Sequence, residues 1–367
     1  MTPRRILMTT DAVGGVWNYS LHLAKALAGY GVRFDLATMG PLPSESQKQE
    51  AAALANVALY ESTYQLEWTQ DPWDDIARAG EWLLELEQRL RPDIVHLNGY
   101  SHAALPWTAP ACVVAHSCVL SWWEAVHGET APDSWARYGA AVAEGIRKAD
   151  HVIAPTAAML KALRKNYGAL PRSSVIHHGI SMKTVSLGQR QPIVFAAGRM
   201  WDAAKNVDMI VRSAAELPWQ FVIAGDGKCE STTTKNVSLL GRVSSKKIAQ
   251  CMRTASIYCL PARYEPFGLS VLEAALSGCA LVLGEIPSLC ELWSDAAIFV
   301  HPDDQSGLTR ILRQLADDER RRKQLAQLAA QRARRFTAER MAVAYLDMYE
   351  QLLESKGAFV TPDKTRP

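Results

Sequence analysis

The chain has 367 residues, with 40 Lys and Arg against 38 Asp and Glu and a formal charge of +2. That near-balance lacks the basic footprint of a nucleic-acid binder, and 48% hydrophobic against 21% charged residues excludes a chain that stays disordered. At roughly 150 residues per domain, the length predicts two domains.

The chain starts Met1-Thr2-Pro3-Arg4-Arg5 before Ile6-Leu7-Met8, an apolar run too short for a secretory leader. No run reaches the about 18 apolar residues of a membrane-spanning helix. Seven scattered Cys with no C-x-x-C pair read as reduced, buried thiols, and the protein is expected in the cytoplasm.

In chain order, short apolar runs at residues 6–9, 34–38, 94–97, 112–115 and 152–154 alternate with helical patterns. A second series follows at 193–197, 221–224, 257–260, 280–283 and 298–300. Continuous apolar strands suit parallel sheets buried on both faces, and strands alternating with helices imply βαβ units. Each series opens on an apolar strand that leads through glycine into a helix: Gly14-Gly15 in the first, Gly198-Arg199 in the second. The expectation is an α/β protein of two Rossmann-like, doubly wound domains, residues 1–180 and 192–338, with a linker at 181–191 rich in Ser, Gly, Lys and Gln. The end of the chain is helical to about residue 354, and residues 355–367 read as a frayed tail. The basic cluster Arg320-Arg321-Arg322-Lys323 reads as a solvated helix face, with a peripheral membrane contact as the alternative.

Three segments carry chemistry. Gly14-Gly15, after Thr9-Thr10-Asp11, lets an anion approach amides at a helix start, although the G-x-G-x-x-G spacing of dinucleotide binding is absent. Arg199 and Lys205 are two cations flanking a strand exit, suited to a pyrophosphate; each is worth roughly 4 kcal/mol at about 4 Å and an effective dielectric near 20. The third segment runs Glu265-Pro266-Phe267-Gly268-Leu269-Ser270-Val271-Leu272-Glu273. Its proline suits a first helical turn, and Glu273 lies two turns inside an apolar stretch, where a carboxylate is costly without a partner.

The E-x7-E spacing of Glu265 and Glu273 within E-P-F-G-L-S-V-L-E-A resembles the signature of the group 1 (GT4) retaining glycosyltransferases. Gly14-Gly15, Arg199 with Lys205, Gly225-Asp226-Gly227 and Leu240-Gly241-Arg242-Val243 occur in that family's order. The resemblance implies a GT-B fold, two Rossmann-like domains facing across a cleft, with a helix at about 339–354 returning to the first domain. It implies a nucleotide-sugar donor on the second domain. Arg199, Lys205 and the amides of Phe267, Gly268 and Leu269 would hold the pyrophosphate, with Gly14, Gly15 and Gly225 also at the donor. Glu273 would accept from the ribose hydroxyls, Glu265 from the sugar, and Arg242-Val243 would line the base pocket. His116, at the end of a strand, occupies the position of the family's active-site histidine near the donor sugar and leaving phosphate. Two segments depart from the pattern: His116-Ser117 replaces a frequent His-Asp, and His178-Gly179-Ile180-Ser181 replaces Asn-Gly-Val-Asp.

The reaction so implied is retaining sugar transfer from a nucleoside diphosphate to an acceptor hydroxyl. No D-x-D stands at a strand end in a position suited to a metal, and the two cations can replace one, so neither metal nor other cofactor is expected. Eight of the eleven Trp precede residue 136. Of these, Trp17, Trp122 and Trp123 are candidates for an acceptor platform, and the other five read as packing. The alternatives are a GT-B sugar-nucleotide epimerase, which needs no acceptor, and a non-catalytic nucleotide-sugar binder. An NAD-dependent oxidoreductase is disfavoured by the missing glycine fingerprint.

Overall fold

A computed structural model describes residues 2–181, 190–227 and 234–357. Residues 182–189 of the expected linker, Cys229 and residues 358–367 of the expected tail lie outside the described residues. The chain forms two compact units, one from segments within Met1–Leu120, Ala131–Ser181 and Ala338–Pro367, the other from Ser121–Thr130 and Met182–Thr337.

The first unit holds a seven-stranded, wholly parallel sheet. Its strands are β1 (Arg5–Asp11), β2 (Arg33–Met39), β3 (Val57–Glu61), β4 (Ile94–Leu97), β5 (Ala111–Val114), β6 (His151–Ala154) and β7 (Ser173–Val175). Their order is β3-β2-β1-β4-β5-β6-β7. The direction of winding reverses between β1 and β4, whose register pairs Ile6 with Ile94. The central strands are buried on both faces, as their unbroken apolar runs require. The helix Trp73–Leu90 lays Leu83, Leu86 and Leu90 against Leu7 and Ala37. Each such side chain, fully removed from water, contributes roughly 1.5–3 kcal/mol.

The second unit holds β8 (Gln191–Ala197), β9 (Gln220–Ala224), β10 (Val237–Leu239), β11 (Ala255–Leu260), β12 (Ala280–Gly284) and β13 (Ile298–Val300). This sheet is also parallel, in the order β10-β9-β8-β11-β12-β13, and reverses between β8 and β11. Its core joins Val194, Phe221, Ile257 and Val282 to the helices Val207–Ala214 and Gln305–Asp317. In such sheets ligands sit beyond the carboxyl ends of the strands at the reversal point.

The last helix, Ala338–Gly357, belongs to the first unit. Tyr19 in the helix Gly15–Leu27 donates to Tyr345 at 2.5 Å, and Tyr349 meets His96 Nδ1 at 2.6 Å. Residues 355–357 of the expected tail therefore continue a helix. The basic cluster lies on the helix Glu319–Ala333 and is bonded locally. Lys323 pairs with Glu319, Arg321 with Gln324, and Arg322 with the carbonyls of Leu315 and Ala316. Among the described residues no helix is long and apolar enough to cross a membrane, and the six described cysteines form no disulfide.

Candidate active site

In the second unit the motif residues meet at the carboxyl ends of β8, β9, β10 and β11. The turn after β8 begins at Gly198 and is braced by Asp202, whose carboxylate accepts from Ala204 N (3.1 Å), Arg199 (2.7 Å) and the indole of Trp122 (3.0 Å). Burial would raise the Asp202 pKa, but Lys205 and Arg199 outweigh it and hold the carboxyl below its usual range. The Arg199 guanidinium also lies 5.1 Å from the centre of the Trp201 ring. Asn206, in a left-handed conformation at φ 54°, donates to the carbonyls of Pro261 and Pro302. That clamp ties the loop after β8 to the loop after β11 and brings Lys205 to Glu265. Lys205 Nζ donates to Glu265 Oε2 at 2.6 Å, and each side chain is only 14% exposed.

The helix Leu269–Leu276 starts at Gly268, whose φ of 82° favours glycine. A Cβ there would also lie 3.0 Å from Val271 and 3.3 Å from the Glu265 side chain. The first turn of a helix presents N–H groups that lack intrahelical partners and attract anions. Glu273, in the second turn, is half-buried, and burial pushes its pKa up to about 7. Beside it Tyr258 donates to Ser270 Oγ at 2.8 Å.

Gly225 brings the loops after β8 and β9 together. At φ 156°, a Cβ would stand 1.7 Å from the carbonyl oxygen of Gly198. The neighbouring backbone closes the contact: Met200 N donates to Asp226 O, and Gly225 N to Gly241 O, next to Arg242 and Val243. Gly225→Ala is expected to destabilise the protein by about 3 kcal/mol, since backbone must move to admit a methyl. Gly29→Ala, with nothing within 4 Å, should be near neutral. Urea denaturation of the two variants checks the difference.

In the first unit His116 follows β5. Asn98 donates its amide to Thr9 O at 2.7 Å, leaving Oδ1 to accept from His116 Nε2 at 2.8 Å. The rings of Tyr19 and His178 lie 4.5 and 5.2 Å from that of His116. Burial pushes the His116 pKa down to about 3, so the ring is a neutral hydrogen-bonding group at pH 7. Gly14 and Gly15 open the helix Gly15–Leu27 at the end of β1. A pocket open to solvent lies at the ends of β1 and β4, between Asp11, Glu67, Trp68, Asn98 and Gly99.

Each half of this chain matches a glycosyltransferase family. Residues 13–183 match "Glycosyltransferase Family 4" and residues 191–318 match "Glycosyl transferases group 1". The chain belongs to the group 1 glycosyltransferases. Among relatives of this glycosyltransferase, a glycogen synthase of Mycobacterium tuberculosis is 25% identical over 89% of this chain and 90% of its own. A D-inositol 3-phosphate glycosyltransferase of Nocardia farcinica is 23% identical over 94% and 86%. Sucrose-phosphate synthase from Thermosynechococcus elongatus superposes with a TM-score of 0.80 at 17% identity, covering 96% of this chain and all of that one. Anabaena HepE in complex with UDP and glucose superposes at 0.74, also at 17% identity, covering 95% of this chain and all of that one. These neighbours establish the GT-B fold, with two parallel-sheet, Rossmann-like domains.

Two readings of this glycosyltransferase's tryptophans change. Trp17 cannot be an acceptor platform: it is 1% exposed, buried in the core, with its indole N–H 3.4 Å from Glu50. Its place two residues past Gly15 does not tell which face it takes. Trp68, read as packing, is 38% exposed and lines the pocket. Trp122 and Trp123 are half-buried and stack against each other and His127. Their segment groups with the second unit, where Trp122 steadies the carboxylate that holds Arg199. Asp202, Asn206 and Tyr258 escaped sequence reading. Only the turn residues Asp202 and Asn206, flanking Lys205, offered a signal. Among the described residues no group of three or more His, Cys, Asp or Glu is gathered as a metal site needs.

Proposed function

We propose that the enzyme transfers a sugar from a nucleoside diphosphate donor to an acceptor hydroxyl, with retention at the anomeric carbon and without a metal ion. The observation that carries this reading is the Lys205–Glu265 pair, with Arg199 and the start of the helix Leu269–Leu276, at the reversal point of the second sheet. Departure of the diphosphate builds negative charge, and fixed cations and helix-start amides lower the energy of that state. Arg199 and Lys205 supply the cations; Phe267, Gly268 and Leu269 supply the amides; Arg242 and Val243 border the base. Glu265 accepts from sugar hydroxyls and Glu273 from the ribose. His116 is assigned a neutral hydrogen bond to the sugar. Retention rests on the family resemblance, in which the leaving phosphate helps deprotonate the acceptor on the same face.

A thermal-shift panel of UDP, GDP and ADP and their glucose conjugates, run in EDTA, tests this. HepE was solved with UDP, so uridine nucleotides come first. One base is expected to raise the melting temperature, since a ligand at about 100 times its Kd adds about 2.7 kcal/mol to the folded state. Its affinity should increase as pH rises through 7 and Glu273 ionises, and this dependence should vanish in Glu273→Gln. No response to any nucleotide, or a response that requires Mn²⁺, overturns the proposal.

A further inference from the structure

The pocket of the first unit lies where a doubly wound sheet places ligands, at the reversal between β1 and β4. Glu67 forms one wall. Its Oε1 accepts from Tyr100 N at 2.9 Å and its Oε2 from Ser101 N at 2.8 Å, so the carboxylate is held in place by backbone. Asp11 ends β1 and accepts from Val13 N at 2.8 Å. Among the described residues no Lys or Arg lines the pocket, and the histidine that does, His102, is held by burial below its usual pKa. Asp75, which accepts from Gln65 N, is ion-paired with Arg78 and adds no net charge beside the pocket. The indole of Trp68 offers a flat apolar face at the mouth.

We infer that this pocket is an acceptor subsite for a polyol ring, a sugar or cyclitol, that carries no phosphate or carboxylate; the inference rests on the glycosyl-transfer reading above. The C–H face of such a ring lies against Trp68, and its hydroxyls donate to the oxygens of Asp11, Glu67 and Asn98. The same carboxylates repel a phosphorylated ring, which meets no Lys or Arg among the described residues of the lining. The Nocardia relative is named for a phosphorylated cyclitol acceptor. The pocket chemistry separates this chain from that specificity.

Saturation-transfer NMR on the full chain decides the matter. The probes are myo-inositol and methyl glucoside against myo-inositol 1-phosphate and glucose 6-phosphate, with UDP as a separate probe of the second unit. The uncharged rings are expected to bind and the phosphate esters not. Trp68→Ala, at an exposed position, should weaken ring binding about tenfold and leave UDP binding unchanged. Gln65→Arg should admit glucose 6-phosphate. The inference falls if phosphate esters bind the native protein as well as uncharged rings do, if no uncharged ring binds, or if Trp68→Ala binds rings normally. If the rings behave as expected but UDP and the other nucleotides fail to bind, the pocket stands as a polyol site and the transfer reading falls.

Discussion

Lys205→Ala is expected to lower turnover by about a hundred- to a thousand-fold, the usual cost of removing one fixed group from a site of developing charge. The structure adds a way to separate this residue from its partner. Lys205 and Glu265 bond to each other at 2.6 Å, so an incoming phosphate competes with Glu265 for the ammonium. Lys205→Ala should therefore lose nucleotide affinity as well as rate. Glu265→Gln keeps the cation and releases it from the ion pair. It should bind the nucleoside diphosphate at least as tightly as the native enzyme and still turn over orders of magnitude more slowly. Calorimetric titration and steady-state rates read the two quantities independently. Near-normal turnover in both variants would falsify the assignment.

The second large effect is acid lability. Burial pushes His22 down to about 4, His96 and His116 to about 3, and His178 well below its ordinary value. All four lie in the first unit. For a base with a depressed folded pKa, the unfolded chain binds protons first. Stability is complete above the unfolded value near 6.5 and is lost as pH falls from there toward 3 or 4. Each group contributes at most about 1.4 kcal/mol per pH unit, so four acting together approach about 5 kcal/mol per unit. Glu273 acts in the opposite sense between its unfolded 4.5 and its folded value of about 7, but it is one group against four. The urea midpoint should drop steeply from pH 6.5 to 5, and less steeply in His22→Leu. A flat midpoint over that range would mean that these imidazoles are not desolvated.

Legibility in the sequence followed burial. Ten strands were readable because β1, β2, β4, β5, β6, β8, β9, β11 and β12 are flanked on both sides, and β13, though on an edge, keeps an apolar Ile298-Phe299-Val300. The three that were missed, β3, β7 and β10, are all edge strands with half-exposed or exposed residues; β7 and β10 carry no continuous apolar run, whereas β3 has one in Val57-Ala58-Leu59-Tyr60 that was passed over. The donor residues were visible because glycine, proline and charge at strand exits mark turns. The pocket beside Asp11 was not. It is assembled from Glu67 and Trp68 in a loop without periodicity, brought beside Asn98 and Gly99 by bonds from the amides of Tyr100 and Ser101 to the Glu67 carboxylate that no local pattern announces. The misplaced Trp17 has the same origin: position in a helix does not reveal which side faces the core.

The bond between Tyr19 and Tyr345 spans 326 residues, and it lies inside one unit. On a ribosome adding roughly 5–20 residues per second, the first unit therefore waits on the order of tens of seconds for its last helix. Every segment of the second unit has been made by residue 337. The unit that comes second in the sequence is thus the first that can be completed. Until the last helix arrives, Tyr19 and His96 lack the hydroxyls of Tyr345 and Tyr349, and the nascent chain is longest exposed on the side that begins it.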